Sequence, residues 1–370
     1  MRICIDLTSL YDKLSGIEKF TLMISKNMIL NDDRNSYVLV FWNEVHTDFI
    51  NIISKNNVEV IIIKTKNKLI MNQIILPMKL YSIKADRFLF MAFPSPLLFR
   101  NKNIVNTVHD MTPWLYPETM SLKGLILFRL SIRNALNISR SIITVSEASK
   151  NDIIKKFKKC TNINVVYNGV DEVFTEFVYS EKENLLIKEK YNISEDYILS
   201  LGTLEPRKNF KLLLDTFVEL KKENLIKNKM VIVGRKGWKF DNLLKDIDDE
   251  ILKDIIFTDF VDTNELPYIY ANARLFVFPS LYEGFGIPIV EASSMNCLVL
   301  SSDIEASKEV LKDIGIFFKS NDKMDLKKKI IEVLSYDDEK KGILKAKFKS
   351  NSQNYNWKIE SCKLLDIIKK

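Results

Sequence analysis

Short apolar, β-branched runs alternate along this chain with longer stretches of helical periodicity. In the first half the runs fall at residues 3–5, 37–41, 58–63, 88–91, 104–108, 142–145 and 165–167. In the second half they fall at residues 197–201, 230–233, 255–257, 275–278, 298–300 and 316–318. Continuous apolar strands with helices between them predict parallel sheets covered on both faces. Each half therefore reads as a doubly wound α/β domain, and such sheets bind ligands beyond the C-terminal ends of their strands. The expected domains are residues 1–175 and 190–350, divided within the charged segment 171–194. Residues 340–370 keep a helical pattern that breaks near Asn356-Trp357. The last piece, 351–370, is expected to cross back onto the N-terminal domain through Trp357, Leu364, Leu365 and Ile368.

Composition supports this picture and narrows the function. A length of 370 residues suits two domains of ordinary size, and 46% hydrophobic residues suit a well-filled core. No run of about 18 uncharged apolar residues occurs, so no spanning helix is expected. The opening MRICIDLTSL reads as a strand rather than a secretory leader, which predicts a cytoplasmic protein. Cys4, Cys160, Cys297 and Cys362 are scattered, without metal-ligand spacing or a bridge framework. Two histidines exclude a histidine-rich metal centre. The formal charge of +7 is a mild bias that fits a phosphate-bearing ligand or an anionic membrane surface. No localised basic and aromatic patch or reader motif is visible, so no nucleic-acid partner is expected.

The most informative chemistry lies in residues 278–303, FPSLYEGFGIPIVEASSMNCLVLSSD. Glu283 and Glu291 stand eight positions apart around the turn Gly284-Phe285-Gly286, and Pro288 opens a predicted helix over 287–295. Glycines allow close backbone approach to a ligand, and a helix start attracts anions. Two carboxylates beside such a turn suit a ligand with a polyhydroxyl part and a phosphate part, the shape of a sugar nucleotide. A second segment, GTLEPRKN (202–209), brings Arg207 and Lys208 to the end of the strand at 197–201. A guanidinium and an ammonium there suit two phosphates.

These segments, with the pair His109-Asp110, occur in the order found in retaining glycosyltransferases of family 4. SGIEKF (15–20), ITVSEASKNDI (143–153), VVYNGVD (165–171) and VIVGRKGW (231–238) extend the resemblance over nearly the whole chain. The resemblance implies the GT-B fold: two doubly wound Rossmann-like domains facing across a cleft, the first for the acceptor and the second for the nucleotide sugar. It implies that Lys208, together with Arg207, neutralises the leaving diphosphate. Glu283 faces the donor sugar, Glu291 holds the ribose, and the backbone of Gly284, Phe285, Gly286 and Ile287 bonds the sugar and phosphate. His109 contacts the sugar from the other domain, where Gly16 permits close approach to the diphosphate. Catalytic roles thus go to His109, Glu283 and Lys208. Arg235, after the strand at 230–233, is a further donor contact, and Lys19 and Glu18 are weaker ones. One position departs from the pattern: many relatives carry Arg directly after Gly202, and here it is Thr203.

Several residues have a plain structural reading beside the functional one. Ser146 suits a helix N-cap, and Asp110 either orients the His109 ring or caps a turn. The stretch 121–140 mixes Leu122, Leu125, Ile126, Leu130 and Ile132 with Lys123, Arg129, Arg133 and Arg140. It reads as an ordinary sheet-covering helix or as a basic amphipathic segment for a membrane surface.

The expected reaction moves a hexosyl group, with retention and without a bound metal or other cofactor, from a GDP- or UDP-sugar to a saccharide acceptor. The motif style resembles bacterial surface-polysaccharide mannosyltransferases, which implies GDP-mannose as donor, a lipid-linked acceptor and peripheral membrane contact at the inner face of the cytoplasmic membrane. UDP-sugar-dependent transfer, a GT-B epimerase and a non-catalytic sugar-nucleotide-binding partner are the alternatives.

Overall fold

The computed structural model describes residues 1–10, 14–158, 160–193, 196–235, 244 and 247–370. It divides into two compact units, Met1–Asn168 with Asn356–Lys370, and Gly169–Tyr355.

Among the described residues, the first unit is built on β1 (Arg2–Asp6), β2 (Ser36–Trp42), β3 (Val58–Ile63), β4 (Arg87–Phe90), β5 (Ile104–Thr107), β6 (Ser141–Thr144) and β7 (Ile163–Val165). They form one parallel sheet in the order β3-β2-β1-β4-β5-β6-β7. The chain builds outward from β1 to β3, then returns to β4 on the other side of β1. That reversal opens a crevice at the C-terminal ends of β1 and β4.

The second unit repeats this plan. Its strands are β8 (Tyr197–Leu201), β9 (Lys229–Val233), β10 (Ile255–Asp259), β11 (Leu275–Phe278), β12 (Val299–Ser302) and β13 (Ile316–Phe318), ordered β10-β9-β8-β11-β12-β13 and all parallel. Here the reversal lies between β8 and β11. β11 and β12 are buried along their whole length, as a strand covered on both faces must be. The expected strands at 165–167 and 298–300 are displaced by one or two residues, to Ile163–Val165 and Val299–Ser302.

The segment 171–194 differs from its reading as an interdomain connection, and residues 169–175 leave the first domain. The division falls at Asn168/Gly169, and the helices Glu172–Thr175 and Glu181–Tyr191 belong to the second unit. Buried apolar groups explain this: Phe174 packs edge-on against Tyr270, with ring centroids 6.0 Å apart, and Ile187 is buried. Asn272 also donates to Asn184 across 2.8 Å. A high charge density hid a helix with a single apolar stripe.

The helix Asp338–Ser352 stays with the second unit, and the last helix, Trp357–Lys369, joins the first. Asn356 caps it by accepting from the backbone N–H groups of Lys358 and Ile359. The helix packs along Gly16–Leu30, where Trp357 meets Phe20 at 6.1 Å. Glu360, a buried residue of this helix, accepts the Tyr167 backbone N–H at 2.9 Å.

Candidate active site

In the second unit the loops leaving β8 and β11 flank the topological reversal, and they carry the charged residues singled out in the sequence. After β8 the chain runs through Gly202 and Thr203 into a 3-10 turn, Pro206–Lys208. Asn209 takes a left-handed conformation, φ 54°, before the helix Phe210–Lys222 begins. The expected helix start is thus right, with a tight turn ahead of it that aims Arg207 and Lys208 at the β11 loop.

That aim brings three side chains together. Lys208 Nζ lies 2.6 Å from Glu283 Oε1, and Arg207 Nη1 lies 3.0 Å from Glu283 Oε2. Arg207 also donates from Nη1 to the Tyr282 carbonyl (2.7 Å) and from Nη2 to Glu205 Oε1 (2.7 Å). The Leu281 N–H donates to the Arg207 carbonyl at 2.8 Å, so backbone and side chain both bind the two loops. Lys208 Nζ stands 5.6 Å from the centre of the Phe278 ring, on the end of β11. Glu283 is only 9% exposed. Burial would raise its pKa, but the charges of Arg207 and Lys208 overcome that and hold it at about 2. The cluster of Glu205, Arg207, Lys208 and Glu283 therefore contains two cations and two carboxylates in balance.

Glu291 sits farther along, inside the helix Ile287–Ser294. It is buried, and its Oε2 accepts the Tyr270 hydroxyl at 3.1 Å. Burial, and then the Glu291 carboxylate, push the Tyr270 hydroxyl pKa well up, which keeps it a donor. Gly286 caps this helix with φ 104°, a conformation that a side chain would strain. Pro288 occupies the first turn, where its missing N–H costs nothing. Gly284 lies in the same turn, and Phe285 turns inward against Tyr355 at 5.3 Å, so Phe285 has only its backbone for a ligand. Ser302 Oγ donates to the Ser280 carbonyl at 2.6 Å and ties the start of this loop to β12.

The neighbouring loop after β9 closes on the β8 loop through Gly234. A Cβ there would stand 2.0 Å from the Gly202 carbonyl oxygen, so only glycine permits the approach. The Leu204 N–H donates to the Arg235 carbonyl at 3.1 Å. The exposed Arg235 guanidinium lies 5.1 Å from the Phe260 ring centre. Lys236, Gly237 and Trp238 of the same motif lie outside the described residues. Thr203 is exposed at the mouth of the β8 loop.

In the first unit, His109 follows β5 beside the end of β4. Its Nε2 lies 2.7 Å from the Met91 carbonyl oxygen. A carbonyl only accepts, so Nε2 carries the hydrogen and Nδ1 of the neutral ring is an acceptor. Burial is the largest influence on this ring and lowers its pKa, against the Met91 carbonyl and the carboxylates of Asp110 and Glu18. Phe20 packs edge-on against it at 5.2 Å. Asp110 accepts the Thr112 N–H at 2.8 Å, so it caps the turn. Ser146 accepts the Ser149 N–H at 2.9 Å, so the capping reading describes it, and Ser149 Oγ donates to the His109 carbonyl at 3.0 Å. Gly16 is the exposed first residue of the helix Gly16–Leu30, and Glu18 accepts from Ser15 at that helix start.

In the second unit, then, Arg207, Lys208 and Glu283 come together beside the 284–287 turn, and in the first His109 lies against Phe20 of the helix that Gly16 opens. The sequence did not point to Glu205, Tyr270, Met91 or Phe20. Glu205 had a signal, since an acid two residues before Arg207 in a tight turn can reach its guanidinium. Tyr270 and Met91 had none, because their partners are 21 and 18 residues away on other elements.

Known proteins resemble this chain in sequence and in fold. The family described as "Glycosyl transferases group 1" matches residues 181–355, and "Glycosyltransferase Family 4" matches 85–174. The chain is 31% identical over 265 residues to the O-antigen chain mannosyltransferase B of Escherichia coli, covering 71% of this chain and 68% of that protein. It is 31% identical over 227 residues to the O-antigen chain mannosyltransferase RfbU of Salmonella typhimurium, covering 61% of this chain and 58% of RfbU. The crystal structure of Anabaena HepE in complex with UDP and glucose superposes with a TM-score of 0.74 at 17% identity, over 100% of this chain and 99% of that one. The chain belongs to the group 1, family 4 glycosyltransferases and has their GT-B fold.

Proposed function

We propose that this glycosyltransferase moves a mannosyl group from GDP-mannose to a saccharide acceptor, with retention, in the assembly of a surface polysaccharide such as O-antigen. The observation that carries the sugar assignment is the 31% identity over 265 residues to an O-antigen mannosyltransferase. The acceptor in this reading is lipid-linked and the reaction runs on the cytoplasmic side of a membrane. No helix among the described residues is long and apolar enough to cross that membrane.

The chemistry follows from charges already in position. The bond from the anomeric carbon to the β-phosphate oxygen breaks, and its electron pair leaves with the nucleoside diphosphate. Lys208 and Arg207 turn from Glu283 toward the departing oxygens, and the N–H groups opening the Ile287–Ser294 helix add to that field. Glu283, released from its cations, faces the sugar and stabilises positive charge growing at the anomeric carbon. Until that release the charges of Arg207 and Lys208 hold its pKa at about 2, so it enters the reaction as the anion. The acceptor hydroxyl oxygen bonds to the same face of that carbon, and its proton passes to the departing phosphate. Glu291, held by Tyr270, has the two oxygens that a ribose diol requires. His109, with Nδ1 as an acceptor, suits a hydroxyl of the donor sugar. No metal is required in this scheme, because two side-chain cations supply the countercharge.

A panel of GDP-mannose, UDP-glucose, UDP-galactose and UDP-N-acetylhexosamines, assayed for nucleotide release, tests the assignment. Release of GDP from GDP-mannose is the expected result. Turnover with UDP-sugars alone overturns the mannosyl reading and favours a UDP-hexosyltransferase of the same family.

A further inference from the structure

Four charged side chains meet between the β8 and β11 loops, and the proposed reaction employs only Arg207, Lys208 and Glu283. Glu205 is left without a task. The local chain fixes where its carboxylate points. Pro206 restricts the residue before it to extended backbone, and Glu205 has φ −120° and ψ 156°. Its N–H donates to the Thr203 carbonyl at 2.7 Å, and its own carbonyl accepts the Lys208 N–H at 3.0 Å. With the backbone held on both sides, the side chain reaches Arg207, where Oε1 accepts from Nη2 at 2.7 Å.

The Arg207 guanidinium is thus held along two edges. Nη1 faces the β11 loop, with the Tyr282 carbonyl at 2.7 Å and Glu283 Oε2 at 3.0 Å, and Nη2 faces back to Glu205. A planar fork bonded along two edges has its orientation fixed. The Arg207 and Glu205 side chains are 14% and 26% exposed, so this charge-assisted bond is screened less than an ordinary surface ion pair.

One of these holds is temporary. Against burial, Arg207 is the strongest influence lowering the Glu283 pKa, ahead of Lys208, so the turn of Glu283 to the sugar takes a strong partner from Arg207. A guanidinium on a long flexible stem then follows the carboxylate or swings to solvent unless something keeps it. Glu205 is placed to do so, because its bond to Nη2 does not involve Glu283. We infer that Glu205 is a positioning residue for the leaving group: it holds the Nη2 edge of Arg207 so that the Nη1 edge, once Glu283 has left it, meets the departing diphosphate. In this role Glu205 acts through Arg207 and needs no contact with sugar or phosphate. The inference rests on the diphosphate role proposed above for Arg207 and Lys208, and not on which sugar is moved.

Glu205→Gln tests this, with kcat read on whichever donor of the panel the parent turns over and with GDP and UDP as binding probes. The variant keeps the shape of the side chain and loses its charge. The Arg207 cation remains and a neighbouring anion is gone, so nucleoside diphosphate should bind at least as tightly as to the parent. Orientation in the transition state is lost, and kcat should fall about ten-fold. Glu205→Asp keeps the carboxylate on a shorter arm. It should show the same split more weakly, and it decides the matter if Glu205→Gln does not fold. In an Arg207→Gln background, Glu205→Gln should change kcat by less than about two-fold, because the side chain it acts through is absent. Parental kcat in Glu205→Gln overturns the inference, and so does an effect of about ten-fold that persists without Arg207. A fall in kcat matched by an equal loss of nucleotide affinity also overturns it and leaves Glu205 a purely structural place in the β8 loop. Turnover with UDP-sugars alone would correct the donor and leave each of these ratios readable. Undiminished transfer by Lys208→Ala would instead strike the diphosphate role on which the inference stands.

Discussion

Glu283 and His109 are both shielded from water, and their surroundings shift them by different routes. Around Glu283 two cations outweigh burial and lower the pKa to about 2. Around His109 burial itself lowers the pKa, because the charged ring is the form that loses hydration. Both folded forms therefore bind fewer protons than the unfolded chain, and both contributions to stability are lost as pH falls. The windows differ. His109 contributes fully above its ordinary value of 6.5 and weakens below it, whereas Glu283 weakens only from 4.5 down toward about 2. Urea midpoints should thus fall between about pH 7.5 and 5.5, and His109→Gln should flatten that slope. An unchanged slope in the variant would place the titration elsewhere. Lys208 acts at the same scale. Its removal leaves Glu283 paired to Arg207 alone and withdraws one charge from the leaving diphosphate. Lys208→Ala should lower kcat by about 10²–10³-fold in steady-state assays. Transfer at the parental rate would refute the phosphate role.

At the scale of elements, the site depends on loops that leave neighbouring strands and touch one another. Gly234 is the tightest point: its φ of 149° and the 2.0 Å approach to the Gly202 oxygen leave no room for a methyl group. Gly234→Ala should cost about 3 kcal/mol in chemical denaturation, from strain plus overpacking. Gly342 makes the contrast, since nothing lies within 4 Å of its Cβ position and it sits in an exposed helix. Gly342→Ala should stabilise by up to about 1 kcal/mol. Similar costs at both positions would refute the close-approach argument. The sequence announced a glycine after each of these strands, because the motifs GTLEPRKN and VIVGRKGW contain them. It gave no sign that the two glycines meet, since contact between residues 202 and 234 depends on β8 lying beside β9. In the same way Arg207 was legible as a cation placed just beyond the end of β8. Its bonds to Glu205, Glu283 and the Tyr282 carbonyl were not, and these make it a clamp between the β8 loop and the β11 loop.

At the scale of the molecule, two units with the same strand plan use their chain reversals to gather chemistry, one at β8/β11 and one near β1/β4. The second unit begins at Gly169, earlier than the charge pattern suggested, since Phe174 and Ile187 find their apolar partners there. The last helix returns to the first unit and backs His109 through Trp357 and Phe20. What the amino-acid order determined by itself was local or periodic. It specified the strand and helix alternation, the parallel sheets, the glycine turns, the capping serines and the identity of the charged site residues. Those features depend on backbone preference and on apolar spacing within a few residues, so they can be read in one dimension. The tertiary structure decided the rest: that Glu283 is shared by two cations, that Tyr270 holds Glu291, that His109 donates from Nε2 to Met91, and that Leu122, Ile126 and Leu130 lie exposed. Each of these depends on which strands lie side by side, and that choice is settled by packing over the whole sheet.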